Sequence, residues 1–480
     1  MAEPSSYDAV PYESFPFAQS HPARLSGMAK VFGLSAPTLA TARVLELGCA
    51  FGGNLLPLAE RYPSAQFVGV DLSEVHISHA DEHRRELSLE NVRFRQADIV
   101  DLARESDQYD YIIAHGVYSW VHPRVQRALL QLVGSQLSPT GVGYVSYNVY
   151  PGWKMREVVR EMMLFHVRHV QDPATKLSQA RALLQYASEL HAGEPTAFGR
   201  LLAEEAELLM RSSDSYLFHD HLETENRPCY FHEFVAAAAE NDLAYLGEPS
   251  LFEMLPDRYG ADLASTARRL SDGNLIACEQ YVDLLTNRAF RSSLLVHADR
   301  VPDLERALGP ASFSGLHLSA QLTHADAEPA RPATAQVRSP DAVYADAQGR
   351  EIAAHQPHTR AMIDTLIAAK PYAVPFSELV DAVGQSAGPE LDARAYVASE
   401  IGVLLTQGVA TIYGEPMPRP AEEDARISPY ARWHASKSDV VTNALHELVR
   451  LTPTQARCLR ADEQPGDTQL GELLSLGLLV

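Results

Sequence analysis

A glycine-containing turn between two apolar runs is the feature that most constrains the fold of this chain. The first run, residues 44–47, contains Glu46 and is followed by glycines at positions 48, 52 and 53. The second run, residues 67–70, ends in Asp71. In α/β proteins, a strand, a glycine turn and a second strand that ends in an acid hold nucleotide-like cofactors. The sequence therefore predicts a cofactor-binding α/β domain.

The spacing of the glycines indicates which kind of cofactor is bound. A dinucleotide-binding turn needs glycine at its first, third and sixth positions, so that backbone amides can approach a pyrophosphate. Here the third position is Ala50, and no phosphate-binding lysine follows. A carboxylate beside the turn, that of Glu46, suits a ligand with a cationic amino-acid end instead.

This turn resembles motif I of the class I S-adenosylmethionine-dependent methyltransferases. The resemblance implies S-adenosyl-L-methionine as the cofactor. Glu46 would help to hold its methionine end, and Asp71 would accept hydrogen bonds from both ribose hydroxyls. Gly48 and Gly52 would clear space for the methionine end.

The next segments continue the alternation of strands and helices. Residues 91–99 read as a third strand ending in Asp98 and Ile99, the pair that meets the adenine in the family that the chain resembles. Buried fourth and fifth strands follow at residues 109–117 and 141–149. Because ligands bind at the carboxyl ends of such parallel strands, we expect one edge of the sheet to carry Glu46, Asp71, Asp98, His115 and Tyr147.

Simpler roles are open for several of these residues. Asp71 and Asp98 could cap the helices that follow them. His115, which is included in the predicted cofactor-binding set, could serve only in packing or hydrogen bonding. The ordered set of acids at successive strand ends favours the ligand-binding interpretation. No catalytic residue and no metal site is predicted.

The predicted domain limits follow the same patterns. Residues 1–40 form an N-terminal arm, whose aromatic and proline residues fit either an arm packed on the sheet or a lid over the cofactor. Residues 41–152 form the cofactor-binding half. Three segments with helical spacing make residues 153–215 a helical insertion. Residues 216–298 complete the sheet with a sixth and a seventh strand.

Four short sequence segments resemble those of a narrower group within the methyltransferases. They lie at residues 113–121, 147–153, 230–234 and 279–283. The group carries a methyltransferase regulatory domain and includes bacterial enzymes that methylate lysines of outer-membrane proteins. The resemblance covers most of the chain and implies an enzyme, but it does not fix the substrate.

The C-terminal part has a different pattern. Residues 325–356 are rich in Ala, Pro and Asp and read as a linker. Residues 357–480 begin with three helical segments and a short strand, which resemble a winged helix. Acidic residues outnumber basic ones here, so a protein or dimer contact is favoured over DNA, and we expect an independent unit outside the chemistry. The predicted fold is thus a Rossmann-like class I methyltransferase sheet with a helical insertion and a mainly α, winged-helix-like C-terminal region.

Composition narrows the partners of the chain. Its 480 residues are enough for two or three domains, and its formal net charge is −22. Nucleic acid is a poor partner for this charge, because a phosphate backbone needs a basic face. The four cysteines lie far apart, and no run is long enough to span a bilayer. We expect a cytoplasmic protein without membrane insertion, and the oligomeric state is left open.

The chemistry favours a protein lysine as the methyl acceptor. A sulfonium methyl is already activated, so its displacement needs mainly positioning, and an aromatic, partly dry mouth would keep a lysine amine neutral. Five aromatic residues could line such a mouth or could equally lie in the core: Tyr118, Trp120, Tyr147, Tyr150 and Trp153. A small-molecule methyltransferase and a cofactor-binding interaction module without catalysis stay open as alternatives.

Overall fold

A computed structural model describes residues 14–193, 196–325, 341–346, 348–420, 425–460 and 466–480 of this chain. Residues 1–13 of the predicted N-terminal arm lie outside the described residues, as do residues 326–340 and 347 of the predicted linker. No helix in the described ranges is both long and apolar enough to cross a bilayer.

A seven-stranded mixed sheet is the centre of the described structure. Its strands are β1 Arg43–Leu47, β2 Gln66–Asp71, β3 Val92–Gln96, β4 Tyr109–Ala114, β5 Leu137–Asn148, β6 Leu243–Gly247 and β7 Phe290–His297. The spatial order is β3-β2-β1-β4-β5-β7-β6. The first five strands are parallel, and β7 is antiparallel to both of its neighbours. The predicted Rossmann-like sheet, with its late sixth and seventh strands, is confirmed.

Alternate residues of the central strands point to opposite faces, and both faces are covered. On β1, Val44 belongs to one hydrophobic core and Leu45 to another. On β5, Tyr144 likewise belongs to the first core and Val145 to the second. Because neither face is left to solvent, these strands read as continuous apolar runs. Polar groups are therefore concentrated at the strand ends, where ligands bind in such sheets.

Helices precede and connect the first five strands. They are α1 Pro22–Val31, α2 Leu56–Arg61, α3 Glu74–Glu86, α4 Ile99–Leu102 and α5 Pro123–Gln136. Proline begins α1 and α5, where its missing N–H loses no helical bond. Ser73 begins α3 by accepting a 3.1 Å hydrogen bond from the His76 N–H, which would otherwise lack a helical partner.

A helical insertion follows β5. In the described residues it contains α6 Gly152–Val167, α7 Pro173–Leu190, α8 Ala197–Arg211 and α9 Asp214–His221. These helices pack around a core of their own, which includes Val159, Met163 and Leu202. The predicted helices are present, and the limits of the insertion as a domain stay a prediction.

The chain then returns to the sheet. Helix α10 Phe231–Ala239 leads into β6, and α11 Leu251–Met254, α12 Ala261–Ser271 and α13 Leu275–Thr286 lead into β7. Arg291 of β7 is fully buried and bonds to the side chains of three acids, Glu248, Glu279 and Asp283. This network ties α13 and the loop after β6 to the sheet.

Short strands and six helices make up the described C-terminal part. The strands are β8 His317–Ala320, β9 Leu322–His324, β10 Ala342–Asp346, β11 Glu351–Ala354, β12 Val374–Pro375, β13 Ala410–Tyr413, β14 Val440–Thr442 and β15 Leu448–Arg450. They form the sheets β12-β8-β13 and β11-β10-β9 and the hairpin β14-β15. The helices are α14 Pro357–Ala368, α15 Phe376–Ala387, α16 Ala393–Thr406, α17 Pro429–Lys437, α18 Pro453–Arg460 and α19 Asp467–Ser475.

Two expectations for the C-terminal part are corrected. Strands β10 and β11 lie within the predicted linker, because pairing with each other and with β9 orders a segment too short to show a strand pattern. The C-terminal part is not packed independently, since one hydrophobic core contains both Val44 of β1 and Ile401 of α16. The winged-helix-like arrangement stays a prediction.

Candidate functional site

A cavity of about 560 Å³ lies at the carboxyl edge of the main sheet. The ends of β1 and β2, the turns after β3 and β4, and the helical insertion all contribute to its lining. The cavity brings together eight of the predicted site residues: Glu46, Gly48, Asp71, Asp98, Ile99, His115, Trp120 and Trp153. In the part of the chain that the structure describes, no three His, Cys, Asp or Glu side chains are grouped as a metal site would require.

Glu46 lies in the cavity wall with one oxygen unpaired. Its side chain is buried, and its Oε1 atom accepts a 2.8 Å hydrogen bond from Asn54 Nδ2. Its Oε2 atom has no hydrogen-bond partner among the described residues. Burial raises the pKa of Glu46 to about 8, although the Asn54 bond opposes the shift and the charge of Asp71 adds to it. A buried carboxyl group with an unused acceptor suits a cationic ligand group.

Asp71 and Asp98 stand at the next two strand ends. Asp71 accepts hydrogen bonds from the backbone N–H of Ala50, at 3.0 Å, and of Ser73, at 2.9 Å. These bonds orient its carboxylate beside the glycine turn, and the cap of α3 is Ser73 instead. Asp98 does cap α4, through a 2.8 Å bond from the Val100 N–H, and it also lines the cavity. The capping explanation therefore holds for Asp98 alone and is compatible with ligand contact.

Two glycines of the turn have a left-handed backbone and close neighbours. A Cβ atom on Gly48, at φ +73°, would lie 2.6 Å from Cγ2 of Val117, which lines the cavity. A Cβ atom on Gly52, at φ +79°, would lie 2.5 Å from Cζ of Phe94. Gly52 is outside the cavity lining. In the structure Gly52 makes room for the Phe94 ring of β3, and its role towards the cofactor stays a prediction.

Residues of the N-terminal arm cover part of the cavity. Ser14, Phe15 and Phe17 line it. The Gly53 N–H donates a 2.8 Å hydrogen bond to Ser14 Oγ, and the Phe17 ring lies 3.8 Å from the His115 ring. Burial lowers the pKa of His115 to about 4, so its imidazole is neutral at pH 7. These contacts favour the lid interpretation for the described part of the arm.

A second part of the lining comes from the turn after β4 and from the helical insertion. The Trp120 and Trp153 rings lie 5.8 Å apart, nearly perpendicular to each other. Asp220 of α9 also lines the cavity, and the next residue on this helix, His221, has its ring 6.3 Å from the Trp153 ring. Burial raises the pKa of Asp220 to about 7, while the charges of His219 and Arg156 oppose the shift. Aromatic faces and a carboxyl group both attract cations, so this part of the lining suits an amine.

Family models match two adjoining parts of the chain. A methyltransferase domain matches residues 40–217, and a domain described as a predicted methyltransferase regulatory domain matches residues 213–297. The uncharacterized proteins RP789 and RP028 of Rickettsia prowazekii are similar to this chain, with 40% identity over 62% of it and 39% identity over 50% of it. The chain spans 54% of the length of RP789 and 96% of that of RP028.

A solved structure resembles the chain over almost its whole length. PKMT2 from Rickettsia typhi in complex with AdoHcy (S-adenosylhomocysteine) is 28% identical, with a TM-score of 0.82 over 97% of this chain and 91% of that chain. This chain belongs to the methyltransferases with a regulatory domain. Its cofactor is S-adenosyl-L-methionine.

The cavity of this methyltransferase fits the cofactor chemically. The amino-acid end of S-adenosylmethionine carries an ammonium that needs an acceptor, and Glu46 Oε2 is a buried acceptor without a partner among the described residues. The individual cofactor contacts stay predictions for Glu46, Gly48, Gly52, Asp71, Asp98, Ile99 and His115.

Three of the five predicted pocket aromatics lie elsewhere in the methyltransferase. Tyr147 is buried in the core and stacks on Phe234 at a ring distance of 3.9 Å, while Tyr118 packs edge-to-face on the same ring. The Tyr150 hydroxyl donates a 2.7 Å hydrogen bond to Glu157. None of the three tyrosines lines the cavity. For these three tyrosines the structure favours the alternative that the sequence left open, packing within the protein, and only Tyr147 lies on a strand covered on both faces.

Several lining residues carry no signal that sequence reasoning could use. Asn54 is the exception, because it directly follows the glycine turn. Its position there is enough to suggest a role in the site. Apart from Trp153, the residues that the helical insertion adds to the cavity belong to no motif: Arg156, Tyr216, His219 and Asp220.

Proposed function

We propose that this methyltransferase transfers the methyl group of S-adenosylmethionine to the side-chain amine of a lysine in a protein acceptor. The observation that carries the proposal is a single cavity with two walls of different chemistry. The cofactor wall is Glu46, Asp71 and Asp98, and the acceptor wall is Trp120, Trp153 and Asp220. The likeness to PKMT2 and the resemblance to bacterial enzymes that methylate lysines of outer-membrane proteins support the same acceptor.

Orientation is the main task of the residues around the cavity. When bound, the cofactor supplies a methyl group activated on a positively charged sulfur. The walls must hold the acceptor nitrogen in line with that methyl group, and such orientation can contribute on the order of 7–11 kcal/mol. A protonated amine has no lone pair for the attack, so the acceptor must first lose a proton.

Asp220 is our candidate for receiving that proton. Because its pKa is about 7, both the carboxylate and the acid form are populated near neutral pH. The carboxylate attracts an incoming ammonium, and the surrounding indole rings reduce its hydration, which lowers the pKa of the ammonium. The proton then moves from the lysine nitrogen to a carboxyl oxygen, and the neutral amine accepts the methyl group. Arg156 also lines the cavity, but its guanidinium lies 3.5 Å from Glu205, which offsets its charge.

Incubation of the pure protein with methyl-labelled S-adenosylmethionine and a cell lysate tests the proposed acceptor. We expect label in protein, and mass spectrometry should place the added methyl groups on lysine. Label found only in small molecules would support the metabolite alternative. No incorporation, despite cofactor binding, would support a non-catalytic module.

Two asparagine variants of α9 test the acceptor wall. We expect Asp220→Asn to slow transfer to protein by about 100-fold at pH 7, because the proton acceptor is lost. Its affinity for S-adenosylhomocysteine should stay within about twofold of the wild-type value. Asp214→Asn is the control, because Asp214 lies on the same helix with 72% of its side chain exposed. Transfer by Asp220→Asn at the wild-type rate would remove Asp220 from the mechanism.

A further inference from the structure

The turn between β14 and β15 reaches the cofactor wall. His446 in this turn is buried, and its Nε2 atom lies 2.6 Å from Oδ1 of Asn54, a residue 392 positions earlier in the chain. Asn54 in turn donates to Glu46. A C-terminal side chain is therefore separated by one residue from the carboxyl group that is suited to the cofactor's ammonium.

The hydrogen bonds around Asn54 fix the orientation of its amide. Its Oδ1 atom accepts from the Phe17 N–H at 2.9 Å and from His446 Nε2 at 2.6 Å. Its Nδ2 atom donates to Glu46 Oε1 at 2.8 Å and to Ser20 Oγ at 3.2 Å. Turning the amide over would bring two acceptors together, Asn54 Oδ1 and the Glu46 oxygen. The donor from His446 therefore helps to keep Nδ2 directed at Glu46.

His446 acts as a neutral donor. Burial lowers its pKa to about 3, and the positive charges of Arg61 and Arg24 contribute to the same shift. A neutral imidazole carries one proton, and a bond to the acceptor Oδ1 requires that proton to be on Nε2. The bond between His446 and Asn54 is therefore insensitive to pH near neutrality.

The backbone of His446 is constrained at the same point. Its φ of +63° lies in the left-handed region that favours glycine. Asn443 holds the turn, since its carbonyl accepts from the His446 N–H at 3.0 Å and its Oδ1 accepts from the N–H of Leu445 and Glu447 at 2.9 and 3.0 Å. A strained conformation kept in place by its surroundings is a feature of functional sites. Here the left-handed backbone places the His446 imidazole against Asn54. A glycine would fit this backbone better but has no side chain to make the contact.

We propose that the C-terminal hairpin is part of the cofactor site and that His446 is a positioning residue for Glu46. The inference rests on the proposed role of Glu46 as the acceptor for the cofactor's ammonium. His446 holds the Asn54 amide, Asn54 holds Glu46 Oε1, and Glu46 Oε2 is left for the ligand. The C-terminal part thereby takes part in cofactor binding, contrary to the expectation that it lies outside the chemistry.

Calorimetric titration of full-length variants with S-adenosylhomocysteine tests this inference. In His446→Asn the residue still tolerates a left-handed backbone, but its side chain is too short to reach Asn54. We expect about tenfold weaker binding. In His446→Gln the side chain is long enough to reach Asn54 and still carries an N–H donor. The affinity of this variant for S-adenosylhomocysteine should be within about threefold of the wild-type value. Lys437→Met is the control with unchanged affinity, because it removes a separate contact, 3.3 Å from Glu86, between the C-terminal part and the sheet domain.

A double variant separates positioning from general loosening of the fold. If His446 acts through Glu46, adding His446→Asn to Glu46→Gln should change the affinity by less than about twofold. An equal loss in both backgrounds would overturn the inference, because the hairpin would then only stabilise the fold. If His446→Asn does not fold, His446→Gly removes the donor while relieving the backbone strain and should show the same tenfold loss, about that of one buried hydrogen bond.

Failure of this inference differs from failure of the proposed cofactor site. If Glu46→Gln binds S-adenosylhomocysteine as tightly as the wild type, Glu46 is not the ammonium acceptor and both proposals fail. If Glu46→Gln weakens binding and His446→Asn does not, only the role of the hairpin is wrong.

Discussion

Two buried ionisable groups in this molecule, Arg291 and Glu46, have opposite surroundings. Arg291 on β7 has no exposed side-chain surface, and its guanidinium bonds to Asp283, Glu248 and Glu279 at 2.7–2.9 Å. Glu46 on β1 is almost as deeply buried, yet it has one side-chain hydrogen bond and one oxygen without a partner among the described residues. Arg291 is satisfied by the protein itself, whereas Glu46 is incomplete.

The difference separates a structural network from a binding site. Burial disfavours the charge of Arg291, but the attraction of Glu248, Asp283 and Glu279 outweighs it and raises its pKa. No described cation pairs with Glu46, and burial raises its pKa to about 8. A buried charge without a partner is unfavourable unless a ligand supplies one. Removing Arg291 should therefore affect folding, and removing the charge of Glu46 should affect binding.

The largest effect is expected for Arg291→Met. The change removes the guanidinium that bonds to three buried carboxyl groups. Arg288, 3.6 Å from Glu248 and 4.0 Å from Asp283, is left as a more distant cation, and we expect the free energy of unfolding to fall by about 3–5 kcal/mol. Urea denaturation followed by tryptophan fluorescence measures this loss. Arg93→Met, on an exposed position of β3, should change it by less than about 0.5 kcal/mol. A loss at Arg291 as small as that of the control would mean that the network does not stabilise the fold.

Glu46→Gln should weaken binding without weakening the fold. Loss of a charged acceptor corresponds to about 1.5–3 kcal/mol, or about 10- to 150-fold in the dissociation constant of S-adenosylhomocysteine. The amide is uncharged, like the protonated carboxyl group that the free protein holds below pH 8, so the denaturation midpoint should not fall. Calorimetry gives the affinity, and the exposed Glu240→Gln is the matched control. A lowered midpoint with unchanged affinity would place Glu46 with the structural network instead.

The affinity for S-adenosylhomocysteine should also rise with pH. The free protein holds Glu46 mostly protonated below its pKa of about 8, and only the carboxylate pairs with the ligand's ammonium. Binding at lower pH must therefore release a proton, so affinity should increase by close to tenfold per pH unit from about pH 6 to 7.5. The burial-lowered pKa values of His115 and His446, about 4 and 3, keep these groups from titrating in that range. Titrations of the wild type should show this slope. Glu46→Gln should lose most of it, and combining Glu46→Gln with Asp220→Asn should remove the contribution of Asp220, whose pKa of about 7 falls in the same range.

Local patterns in the sequence were sufficient for the sheet and for the placement of three acids, Glu46, Asp71 and Asp98, in one cavity. Each of these acids lies at or near the end of a strand that runs into a turn, so neighbouring residues reveal it. The bond between Asn54 and His446 joins positions 392 residues apart, and no local pattern encodes such a pairing. Asp220 is equally hidden, because only the packing of α9 brings it to the cavity.

The sequence also does not show on which side of the sheet a buried strand residue lies. Tyr144 and Tyr147 of β5 are both buried, but they belong to cores on opposite faces of the sheet. The Tyr147 hydroxyl lies 2.8 Å from Ser293, whose own hydroxyl donates to Glu248 of the Arg291 network. The Tyr144 hydroxyl lies 2.8 Å from Nδ1 of His115, which lines the cavity. The Tyr144 hydroxyl also donates a 3.0 Å hydrogen bond to Ser292 of β7. Of the two tyrosines, therefore, only Tyr144 contacts a residue of the cavity lining through its hydroxyl.

Phenylalanine variants of these tyrosines give the smallest expected effects and the sharpest test of this difference between them. Tyr147→Phe removes one buried neutral hydrogen bond, so the free energy of unfolding should fall by about 0.5–1.5 kcal/mol while cofactor affinity and methyl transfer stay unchanged. Tyr144→Phe removes the partner of His115 and should weaken S-adenosylhomocysteine binding by about two- to fivefold. Denaturation and calorimetry on both proteins separate the two outcomes. If Tyr147→Phe slowed transfer at unchanged stability, Tyr147 would act in the binding site and not only in the fold. Both faces of β5 would then contribute to the site.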